Sequence, residues 1–136
     1  MVSHLPFKWS VRIYFEDTDS GGVVYHSNYL KFMERARTEW LRSLHLNQVD
    51  LKKKDKIMFV VANVKINYKK AGRFNDELDI ETSIDKIGAS RVDLTQNIMK
   101  NSDIYTSAKV SIACIHSETF KPQRIPKLIK QQMEIL

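Results

Sequence analysis

"EDTDSGGVVYHSN", Glu16 to Asn28, separates two stretches of different hydrophobic period. Before it, Phe7, Trp9, Val11, Ile13 and Phe15 alternate with Lys8, Ser10, Arg12, Tyr14 and Glu16. A period of two places one face of an extended chain against a core, so this stretch reads as a half-buried first strand. After it, Tyr29, Met33, Ala36, Trp40 and Leu44 recur at steps of three and four. They line one face of a helix running from Asn28 to about Leu46, with Arg35 spaced to pair with Glu39. Gly21 and Gly22 break the strand, and Ser27 or Asn28 is placed to cap the helix.

Past that helix the period returns to two. Ile57 to Tyr68 reads as a second strand, with Val60, Ala62, Val64, Ile66 and Tyr68 on one face. Leu78 to Ile84 gives a third strand, Val92 to Ile98 a fourth and Tyr105 to His116 a fifth. "KIGAS" (86–90) and "KNSD" (100–103) are turns between them, while 69–76 and 117–126 are loops. Pro126 precedes a short helix over Lys127 to Glu134. "LKKKDK" (51–56) is expected to be a solvated loop. The order is strand, long helix, then four strands with short connections. It predicts an α+β fold, a curved five-stranded antiparallel sheet wrapped around one helix. The fifth strand carries apolar residues on both faces, Ala108, Val110, Ile112 and Cys114 against Ala113 and Ile115, which points to a homo-oligomer.

A chain of 136 residues fits one domain, 1–136. No stretch approaches the roughly 18 apolar residues of a membrane-spanning helix, and "MVSHLPFKW" lacks the features of a secretory signal. Cys114 is the single cysteine. It is expected to be a small core residue in a cytoplasmic protein. His4, His45 and His116 lack metal-ligand spacing, so neither metal nor cofactor is implied. The net charge of +6 favours anionic partners, but no aromatic-basic pattern marks a nucleic-acid surface.

The opening stretch admits four readings. A calcium loop counted from Asp17 requires a Glu where Asn28 stands and a helix where the first strand stands. An aspartate-nucleophile phosphatase requires a parallel sheet with several crossover helices. A plain acidic turn before a helix satisfies the spacing. So does an active site in which a carboxylate faces the free N–H groups of a helix N-terminus. Those groups can polarise a carbonyl while an ionised aspartate attacks it or activates water. A thioester suits so small a site, because its thiolate needs little protonation to leave.

"YFEDTDSGGVVYHSNYLKFMERAR" (14–37) resembles the hot-dog-fold acyl-CoA thioesterases, and within them the branch associated with the bacterial Tol–Pal envelope system, related to hydroxybenzoyl-CoA thioesterases. "YKKAGRFNDELDI" (68–80) and "FKPQRIP" (120–126) extend the resemblance more weakly. It implies hydrolysis of an acyl-CoA, or an acyl carrier protein ester, in lipid metabolism. Asp19 would be the catalytic carboxylate, Asp17 would shape the loop, and the His26 N–H would face the thioester oxygen. Asn28 and Tyr29 would fix the helix start. Tyr25, Asn28, Lys70, Arg73 and Arg91 are the expected substrate contacts. The site would lie at a dimer interface within a tetramer. "DKIGASRVD" departs from related enzymes, with Gly88 and Ala89 where basic residues would grip CoA phosphates. Glu34 and Glu39 are expected to form ordinary salt bridges, and Met33 and Trp40 to lie in the core. A non-hydrolytic acyl-CoA or acyl-carrier-protein binding protein is the alternative.

Overall fold

The computed structural model describes residues 6–134, and His4 lies outside them. Strand β1 (Phe7–Arg12) shows the expected alternation, with Phe7, Trp9 and Val11 half-buried. It stops earlier than the pattern suggests. Ile13 is fully buried, but Phe15 enters a 3-10 turn, Phe15–Asp17, and is 76% exposed. The Asp17 carboxylate causes the turn by accepting the Tyr14 N–H at 2.8 Å.

Helix α1 (His26–Ser43) buries Tyr29, Phe32, Met33, Ala36, Trp40 and Leu41. Its start corrects the expected cap. Tyr25 stands at the N-cap with no side-chain cap, and Asn28 already lies inside the helix. The Asn28 amide is occupied elsewhere, donating to the Asp17 carbonyl at 2.8 Å. Arg35 also differs from expectation. It lies over the Phe32 ring, while Glu39 pairs with Arg42 and Glu34 accepts the Thr38 hydroxyl.

Four strands follow: β2 (Ile57–Tyr68), β3 (Glu77–Ile87), β4 (Arg91–Lys100) and β5 (Asp103–His116). They form one antiparallel sheet with β1, in the order β1-β3-β4-β5-β2. Register shifts in β2–β5, β3–β4 and β4–β5 add twist, which helps the sheet curl around α1. The sheet has two distinct ends. Arg12 pairs with Glu77, so the 13–25 and 69–76 loops share one end. The turn between Ile87 and Arg91 marks the other, about 30 Å away along the 11 residues of β3.

Along the inner face of β4, Val92, Leu94 and Ile98 are joined by Gln96, all of them fully buried. The Gln96 amide donates to the Met33 carbonyl and the Thr82 hydroxyl, each at 3.0 Å, and its oxygen accepts from Arg37 at 2.9 Å. It fixes the middle of α1 to the sheet by polar bonds inside an apolar core, where unmade bonds are costly. Burial lowers the Arg37 pKa, with Glu34 acting the other way.

The 51–56 stretch is not a loop. A short helix α2 (Gln48–Asp50) runs into a π-helical turn, Leu51–Asp55, which buries Leu51 and exposes the lysines. Helix α3 (Lys127–Glu134) matches its expected range and buries Ile129 and Met133. Gln132 ties it to the Leu44 carbonyl at 3.0 Å. Cys114 is fully buried, and burial pushes its thiol up to about 11.

Candidate active site

The acidic loop is a closed structure that bonds the Asp17 carboxylate and leaves the Glu16 carboxylate and one oxygen of Asp19 without a protein partner among the described residues. Thr18 and Val24 form an antiparallel bridge, and the Asp19 N–H donates to the Val23 carbonyl at 2.9 Å. Gly22 has φ +79°, which only glycine adopts without strain. Gly21 answers a different need. A Cβ there would stand 3.2 Å from Asp19 Oδ1, and the Gly21 N–H donates to that same oxygen at 2.8 Å. The adjacent glycines therefore turn the chain and aim the Asp19 carboxylate. Its other oxygen, Oδ2, has no protein partner among the described residues.

Asp17 is engaged through both its side chain and its backbone. Its carbonyl accepts from the Tyr25 N–H at 3.0 Å and from the Asn28 amide. These bonds dock the loop against the first turn of α1. The N–H groups of His26 and Ser27 meet no acceptor among the described residues. An uncapped helix start presents such donors to an incoming oxygen. The Tyr68 hydroxyl reaches the His26 carbonyl at 3.3 Å, and the Tyr25 and Tyr68 rings flank the His26 ring at 4.7 and 6.2 Å.

A second loop closes the arrangement from below. The Gly72 N–H donates to the Tyr29 hydroxyl at 2.9 Å, and the Gly72 carbonyl accepts the Val24 N–H at 2.8 Å. A Cβ at Gly72 would lie 3.1 Å from Leu78 Cδ1 and 3.2 Å from Val24 Cγ2, so any other residue would have to press those two side chains aside. Burial raises the Tyr29 pKa, and the Gly72 bond offsets part of that. Asp76 holds the far side of this loop. Burial pushes its pKa up, but the Arg73 N–H and the Lys100 ammonium outweigh burial and leave it lowered.

Asp19, Tyr25, His26 and Asn28 thus share one loop and helix start, and Arg73 joins them through its bridge to Val23. Lys70 sits at the same end but is paired with Asp103 at 3.3 Å and lies against Tyr105. Arg91 is not brought to Asp19 within one chain. It lies at the opposite end of the sheet, beside a cleft of about 180 Å³ also lined by Lys86, Gly88, Ala89, Ser90 and Asp93. Tyr68, Gly72 and the Tyr29 hydroxyl are the members that sequence reasoning missed. Their one visible signal was a glycine in a loop beside the motif-bearing helix.

The sequence model of the thioesterase superfamily matches residues 21–106. The chain belongs to the thioesterase superfamily. Its sheet and central helix are the superfamily's hot-dog fold. The acyl-CoA thioesterase YbgC of Haemophilus influenzae is 40% identical over 124 residues, covering 91% of each chain. The acyl-CoA thioester hydrolase YbgC of Escherichia coli O157:H7 is 40% identical over 124 residues, covering 90% of this chain and 92% of its own. Among solved structures, a probable thioesterase from Bartonella henselae superposes with a TM-score of 0.83 at 37% identity, covering 88% of this chain and 98% of that one. The span matched to the thioesterase superfamily holds the uncapped helix start, Tyr68, Gly72 and Arg91, and Asp19 stands two residues before it.

Proposed function

We propose that this enzyme hydrolyses acyl-CoA thioesters to the free acid and CoA, with Asp19 as nucleophile or general base. The observation that carries the reading is the pairing of an aimed carboxylate with unclaimed helix N–H groups. The thioester oxygen docks at the His26 and Ser27 N–H groups, which stabilise the negative charge that develops on it. Either water, giving a proton to Asp19, or Asp19 itself bonds through oxygen to the carbonyl carbon. The C–S bond breaks and the sulfur leaves as CoA thiolate, and in the second route water then cleaves the Asp19 anhydride to the free acid. Tyr25 and Asn28 border the acyl group, and Lys70 and Arg73 stand beside the approach. Relatives named acyl-CoA thioesterase support the substrate class.

Edge strand β2 exposes Val61, Ala62 and Val64, which supports pairing with a second copy. An antiparallel two-fold pairing would bring the Arg91 cleft of one chain toward the Tyr68 end of the other, with Lys86 and Arg91 on the CoA phosphates. A tetramer of two such dimers is the assembly we infer, with residues 1–136 forming one unit. The resemblance at 14–37 extends the proposal to cytoplasmic lipid metabolism linked to the Tol–Pal system.

The test is thiol release from aliphatic and aromatic acyl-CoA esters and from acyl carrier protein esters, comparing wild type with Asp19→Asn. Turnover by wild type that this substitution abolishes is expected. Equal turnover by both proteins overturns the role of Asp19. Binding of acyl-CoA without any turnover supports the non-hydrolytic reading instead. Light scattering on the eluting protein reads the assembly.

A further inference from the structure

At the candidate-site end three pairs are matched, Lys70 with Asp103, Lys100 with Asp76 and Arg12 with Glu77, while Lys69 and Arg73 are exposed without an ion pair among the described residues. At the far end, Lys52, Lys53, Lys54 and Lys56 are exposed and form no ion pair among the described residues. Lys121 and Lys127 share that end and are likewise exposed and unpaired among the described residues. Backbone bonds hold these segments together. The Ser117 N–H donates to the Lys56 carbonyl at 2.9 Å, and the His116 N–H to the Lys121 carbonyl at 2.8 Å. Helix α3, which begins at Lys127, is tied to Leu44 at the end of α1.

Apolar side chains stand among these charges. Phe120 is 65% exposed beside Lys121, and Leu128 is 74% exposed beside Lys127. Lysines around protruding apolar side chains have the chemistry of an interfacial site, in which cations meet lipid phosphates and apolar groups enter the headgroup boundary. Phe120 is the one large exposed aromatic at this end among the described residues, too little for the row of stacking rings that a nucleic-acid strand uses.

We propose that this end docks on the surface of an anionic phospholipid bilayer. Within one chain, the docking surface lies at the opposite end of the sheet from Asp19. The proposal is independent of which thioester is cleaved.

The experiment is co-sedimentation of the full-length protein with large vesicles. One set is phosphatidylcholine alone and the other contains about a third phosphatidylglycerol. Binding to the anionic vesicles only, weakened at least about tenfold by high salt, is expected. Lys52→Gln/Lys53→Gln/Lys54→Gln together should weaken it about tenfold or more, and Leu128→Ser several-fold, both with unchanged thermal melting and thioesterase turnover. No binding to anionic vesicles overturns the proposal, as does equal binding by the triple variant. Retention by an acidic carrier protein with no vesicle binding overturns it in favour of a protein partner.

Discussion

The Asp19 end and the Arg91 end belong to the same strands but solve different problems. Around Asp19 the backbone is bound in several directions: to Asp17, to Gly72, and through Asn28 to the helix. The acids there are aimed by N–H groups, as Gly21 aims Asp19 and Arg73 aims Asp76. Around Arg91 the turn is short and the cations are unpaired among the described residues, with Lys86 and Arg91 open on a shallow cleft. Position has to be exact where a bond is made or broken, and a carboxylate displaced by an ångström loses most of its effect. Holding a phosphate needs charge more than position. Rigid hydrogen bonding therefore marks the candidate chemistry, and loose positive charge marks candidate binding.

Four experiments can break that contrast. The largest effect should follow Asp19→Asn, a fall in kcat of about 10²–10⁴-fold with unchanged melting. Steady-state kinetics beside a melting curve checks it, and a comparable fall from a change at Arg91 would erase the distinction between the ends. Next comes Tyr29→Phe, which leaves the Gly72 N–H without its acceptor. A loss of about 1–3 kcal/mol is expected from denaturant unfolding, with reduced turnover. Lys86→Ala with Arg91→Ala should raise KM for acyl-CoA about tenfold and leave kcat and stability unchanged, since exposed charges contribute little to folding. Unchanged KM would remove the phosphate role of that end.

The smallest effect concerns Asp76. Its pKa is lower folded than unfolded, so its contribution to stability is present above the unfolded value and is lost as pH falls through the folded one. Below about pH 4, protection of the Gly72 and Arg73 amides relative to their intrinsic exchange rates should fall, and Asp76→Asn should remove that acid step. Exchange in the 86–91 turn should not follow it.

The strand and helix periods, the turns at 86–90 and 100–103, and the range of α3 could all be read from neighbouring residues. So could the grouping of Asp19, Tyr25, His26 and Asn28, which lie within ten positions of one another. Illegible features depend on distant partners. Asn28 reads as a cap until the Asp17 carbonyl claims its amide. Gln96 falls in phase with Val92, Leu94 and Ile98, yet nothing nearby announces that Met33, Thr82 and Arg37 will meet it in the core. Gly72 looks like any loop glycine until Leu78 and Val24 close on it. The lysine run reads as a loop, yet it forms a helical turn that buries Leu51 and leaves its charged neighbours exposed.

The buried sulfur of Cys114 has a practical consequence. A thiol that stays protonated and out of reach is silent toward maleimides and iodoacetamides at neutral pH. A cysteine introduced on the surface would be the molecule's one reactive handle, with no need first to strip the native residue from the core. A fluorophore placed at position 20 or at position 52 could then report separately on each end of the sheet.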